Sequence, residues 1–134
     1  MKTSQLLLAT LLLGLGLSLC VEDKFTSPHQ SYTYDSAQQV TVSGKVQDVK
    51  EYQCRVSGTG GAHIVVKAEN GTFEVHLAPI RFMKDYEIAF RTGDEVKITG
   101  AKIMFEGKPA LMAKTVVVGN NTFMFRDPDG KPLW

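Results

Sequence analysis

Between residues 39 and 46, Val40, Val42, Gly44 and Val46 alternate with Thr41, Ser43 and Lys45. This is the two-residue period of a strand with one buried face. Gly44 interrupts the apolar face, as glycine does where a strand bends or bulges. Two more alternating runs, residues 62–69 and 72–77, flank Asn70-Gly71. That pair favours a tight hairpin, because both turn residues take positive φ. A two-residue loop there predicts Ala68 opposite Phe73, Val66 opposite Val75 and Ile64 opposite Leu77, all on one apolar face. The other face then carries Lys67 opposite Glu74, Val65 opposite His76 and His63 opposite Ala78. Turn chemistry and hydrophobic pattern select the same register.

Pro79 suits the first turn of a helix, and Ile80, Met83 and Ile88 extend it over residues 79–89, up to the breaker Thr92-Gly93-Asp94. Alternation resumes from Glu95 to Met104, with Gly100 slipping the phase so that Ala101 and Ile103 point inward. Glu106-Gly107-Lys108-Pro109 reads as a turn, residues 111–118 as a strand, and 122–125 as a short last strand. Asp127-Pro128-Asp129-Gly130 matches a type I turn. Five short strands with one helix between the third and fourth are expected to curl into a small barrel, which removes exposed edges. The expected core is Val42, Val46, Ile64, Val66, Phe73, Val75, Val96, Ile98, Ile103 and Val117. Phe73→Ala is expected to cost about 3–5 kcal/mol.

The first residues follow a different rule. Lys2 precedes an uncharged run rich in leucine to Leu19, after which Val21-Glu22-Asp23-Lys24 turns polar. That length fits a signal-peptide core and falls short of the roughly 20 apolar residues of a membrane span. Residues 1–20 are therefore expected to be an export signal, 21–37 a flexible arm, and 38–134 the folded domain with a short C-terminal extension. Leu17-Ser18-Leu19-Cys20 resembles the lipobox of bacterial lipoproteins, in which Cys20 is lipidated and anchors the chain to the membrane. Leu19 stands where that pattern has a small residue, so ordinary cleavage near Ser18 or Cys20 is the alternative. Removing Lys2 leaves 14 basic against 14 acidic residues (15 − 1 = 14 and 14). A neutral mature chain has no global field to steer polyanions. Without Cys20, Cys54 has no partner for a disulfide.

Val42-Ser43-Gly44-Lys45-Val46, the stretch from Gly93-Asp94-Glu95 to Gly100, and the ending from Phe125-Arg126-Asp127 to Trp134 resemble small exported bacterial OB-fold (BOF-like) proteins of unassigned function. The resemblance spans roughly residues 38–118 and implies a mainly β, five-stranded OB-fold-like barrel in the periplasm or cell envelope. It says little about activity, since one fold carries many functions.

Candidate chemistry is sparse. Single-strand binding by an OB-fold needs aromatic platforms on the central hairpin. Its outer face offers His63, Val65, Lys67, Glu74 and His76, so nucleic acid is the weakest of three options. Ser57-Gly58-Thr59-Gly60-Gly61 lacks the lysine and helix start of a phosphate loop. Cys54 has no evident base and orienting partner, so no enzyme is expected. The sequence therefore favours a non-enzymatic exported module that binds an envelope protein or a small ligand. Arg55, His63, Lys67, Glu74 and His76, with the loop from Lys50 to Gly61, are its candidate contacts. No cofactor is required. The alternative is a transition-metal site: His63 and His76 are diagonal neighbours in the expected register, and Cys54 is a soft third ligand. Trp134 is read as packing on the barrel.

Overall fold

The alternating segment that opens the domain runs well beyond Val46. In the computed structural model, which describes residues 33–53 and 60–134, β1 spans Gln39–Gln53. It is followed by β2 (Gly60–Ala68), β3 (Gly71–Pro79), helix α1 (Ile80–Asp85), β4 (Glu95–Phe105), β5 (Lys108–Val118) and β6 (Asn121–Met124). Among the described residues the fold is mainly β, with six strands and one short α-helix. The sheet order is β3-β2-β1-β4-β5-β6, antiparallel between these neighbours. In addition, β3 pairs with β5 in parallel, through Glu74↔Ala110, Val75↔Leu111 and His76↔Met112. The first five strands are thus linked in a closed circuit of pairings, and β6 adds to the outside of β5.

The glycines mark close approaches of neighbouring backbones. A Cβ on Gly100 would lie 2.5 Å from the carbonyl oxygen of Met112, and one on Gly44 would collide with the carbonyl oxygen of Lys67. The phase slip at Gly100 is a register shift between β4 and β5 at Thr99/Gly100. Gly100→Ala should therefore destabilise by about 1–3 kcal/mol, the usual range for overpacking. A denaturant melt checks this, and a change under about 0.5 kcal/mol would mean that the strands do not approach so closely.

The hairpin register differs from expectation. Ala68 pairs with Gly71, Val66 with Phe73, Ile64 with Val75 and Lys67 with Thr72. Glu69-Asn70 form the turn, and Gly71, at φ 141°, already belongs to β3. Closing the loop one residue earlier moves every partner by two, which preserves the faces and changes the pairs. Helix α1 is also shorter than the predicted 79–89. Pro79 caps its start, and Glu87 takes a positive φ of 52° soon after Asp85, which prevents another turn.

Val46, Ile64, Val66, Val75, Val96 and Ile98 are buried together, as expected. Val42, Phe73 and Ile103 are only partly buried. Val117 pairs with exposed Lys97, so Val116, opposite Ile98, takes the core position instead. Phe82, Phe90 and Phe125 complete the main core. A smaller cluster joins Tyr34, Ala101 and Met112, with the Tyr34 hydroxyl donating to Gln39 Oε1 at 2.9 Å. The predicted turn after Phe125 forms, with Gly130 N–H donating to Asp127 O at 3.0 Å. The export signal, Cys20 and the arm up to residue 32 lie outside the described residues, as do Cys54 and Arg55.

Candidate metal centre

The hairpin shift that leaves the core face intact rearranges the outer face. In that register His63 and His76 stand directly opposite each other rather than diagonally, and the pairing shifts only beyond them, between His63 and Ala62. Their ring centroids are 3.8 Å apart. Glu74, two residues before His76 on the same face, meets His63: Nδ1 and Oε1 are 2.9 Å apart. One ligand atom from each of His63, Glu74 and His76 lies within 4.8 Å of the others. The lower end of β1 brings the Tyr52 ring to 4.6 Å from His63. Phe105, at the end of β4, stands edge-on to His76 with centroids 4.4 Å apart.

Burial sets the charge state of this group. His63 is 7% exposed. Desolvation pushes its pKa below the usual histidine value, outweighing the upward pull of Glu74. His76 is pushed down to about 4, first by burial and then by His63. For Glu74, burial raises the pKa, but hydrogen bonds from His63 and Tyr52 more than offset it, leaving the carboxyl below its usual range. Near pH 7 the cluster is two neutral imidazoles beside an ionised carboxylate. A carboxylate only accepts, so His63 Nδ1–H is the donor and its Nε2 keeps a lone pair. A Cβ on Gly61 would lie 3.5 Å from that Nε2, and Gly61, His63 and His76 all line an open pocket of about 350 Å³.

Of the residues singled out in the sequence, the fold brings together His63, Glu74 and His76. Lys67 is exposed between Lys45 and Thr72 on the neighbouring strands, so the expected Lys67–Glu74 pair does not form. Tyr52 and Phe105 were not foreseen. A register shift between Val46 and Asp48 breaks the alternation of β1, which hides the continuation of the strand to Tyr52. Phe105 follows the irregularity at Gly100 and precedes a turn, so its face was not readable from period alone.

All three clustered residues fall inside residues 38–123, the span matched by the model of the MamS/MamX magnetosome protein family. The chain belongs to that family. It is also 30% identical over 105 residues to the magnetosome protein MamS of Magnetospirillum gryphiswaldense, a match covering 75% of this chain and 57% of that relative. The chain thus spans little more than half the length of the curated relative it matches. Membership in the MamS/MamX family corrects the resemblance to BOF-like exported proteins, which rested on short strand and turn motifs. Among the described residues, no helix is long and apolar enough to cross a membrane.

Proposed function

We propose that this MamS/MamX-family domain is a non-enzymatic binding module that holds a divalent transition-metal ion between His63, Glu74 and His76. The observation that carries the proposal is the convergence of three ligand atoms within 4.8 Å. Metal–ligand bonds of about 2.0–2.2 Å put ligand atoms roughly 3–4 Å apart, so small side-chain adjustments suffice. Imidazole nitrogens with one carboxylate suit zinc, copper, nickel or ferrous iron. Glu74 supplies negative charge, and an ion would sit between its carboxylate and His63 Nδ1 in place of the shared proton, which the neutral ring then carries on Nε2. The depressed histidine pKa values support the same reading, since a neutral imidazole releases no proton on binding.

The relative's name places that protein with the magnetosome. By kinship, the present domain acts in the same compartment after export, with the five-strand circuit and α1 forming an OB-like barrel that carries the site on its outer face.

Calorimetric titration of untagged protein with Cu(II), Zn(II) and Fe(II) tests the proposal. At least one ion is expected to bind with micromolar affinity or better. His76→Ala and Glu74→Gln should each weaken it by about 10–100-fold. No binding tighter than about millimolar, or unchanged heats in His63→Ala/His76→Ala, would reject the site.

A further inference from the structure

One buried cation has no role in the metal site. Arg126, just after β6, is only 8% exposed. Its Nη1 donates to the carbonyl of Gly130 at 2.9 Å. The rings of Tyr34 and Trp134 lie 5.9 and 5.2 Å from its guanidinium carbon. None of these contacts supplies an acceptor to Nε, which is buried with no hydrogen-bond partner among the described residues. The ion pairs among the described residues, His63–Glu74 and Arg81–Asp85, do not include Arg126. A guanidinium does not shed its proton to escape burial, so an uncompensated one is costly to keep.

The surroundings say what would compensate it. Arg126 lines the open pocket of about 350 Å³ that also reaches His63 and His76. That lining contains no Asp or Glu side chain, and part of the wall is apolar, including Leu77, Ala78 and Met112. The Nε–Nη2 edge of the guanidinium has the fork geometry that matches two carboxylate oxygens, and a small shift of the side chain would bring the buried Nε to the pocket. We propose that this pocket binds a small organic carboxylate, its anionic end on the guanidinium of Arg126 and its carbon body against Met112 and Trp134. The apolar wall favours an organic acid over a bare inorganic oxyanion, whose remaining oxygens would face hydrocarbon.

Trp134 is the only tryptophan of the chain, so its fluorescence reports on the pocket. Metal-free full-length protein would be titrated with succinate and, separately, with inorganic phosphate at matched ionic strength. Succinate is expected to shift the emission saturably, with a dissociation constant of about 1 mM or lower, and phosphate to leave it unchanged. Arg126→Lys keeps the charge but loses the fork, and should weaken succinate at least about tenfold. Gly61→Leu adds a bulky side chain to the pocket lining beside His63 and should abolish the response; circular-dichroism melts check that both variants fold. No saturable response to succinate, phosphate binding as tightly, or undiminished affinity in folded Arg126→Lys or Gly61→Leu would each overturn the assignment. Because the protein is metal-free, the result is independent of whether His63, Glu74 and His76 hold an ion.

Discussion

Replacing Phe125 with alanine is expected to lower the unfolding free energy by about 3–5 kcal/mol, the largest single loss among the aromatic positions. Phe125 is wholly buried and has the largest side chain among the fully buried residues. It follows β6 and ties the C-terminal segment to the sheet: its N–H donates to Lys114 O at 2.8 Å and its carbonyl accepts from Leu133 N–H at 3.1 Å. Alanine would leave those backbone bonds in place while opening a cavity beside Phe82, whose ring centroid is 6.3 Å away. Phe73, expected from the sequence to be the critical aromatic, sits at the edge of the core and lines an open surface pocket. Its truncation should cost about 1–2 kcal/mol, because part of its surface is already in contact with water. Parallel urea melts of the two variants check the ranking. Equal losses would show that Phe73 is as deeply packed as Phe125.

That contrast shows which parts of the structure were legible in the sequence. Local alternation exposes which residues share a face, so Ile64, Val66, Val75, Val96 and Ile98 were readable as core from their own segments. Facing partners depend on where each turn closes and where each bulge falls. Gly71 accepts a φ of 141° as the first residue of β3, and that one choice re-pairs the whole hairpin. The chemistry inherited the same limit. His63, Glu74 and His76 were visible as one outer face, while their convergence came from the shifted register. Tyr52, Phe105 and Arg126 reach their places through long-range pairing or the path of the C-terminal segment, for which no local pattern exists.

The metal-free protein should lose stability as pH falls from about 6.5 to about 4, and His76 should account for most of the loss. In the unfolded chain His76 titrates near 6.5, whereas in the fold burial and the adjacent His63 hold it to about 4. Between those values the unfolded state binds a proton that the folded state refuses, so unfolding is favoured as pH drops. The contribution is complete above pH 6.5 and gone below about 4, and it amounts to roughly 3 kcal/mol. His63, also held below its usual value, acts in the same direction. Glu74 adds a later loss, since its carboxyl is held below the usual range and its share of stability disappears only as pH falls through that depressed value. His76→Phe keeps a ring against the edge of Phe105 but cannot titrate. Its urea-derived stability should therefore change much less between pH 6.5 and 4 than that of the unaltered protein. A saturating metal ion should carry the loss on below pH 4, because only there do protons begin to compete with the ion for His76 of the folded protein. If His76→Phe and the unaltered protein show the same pH slope, His76 is not held neutral by its surroundings, and the poised ligand pair loses its electrostatic basis.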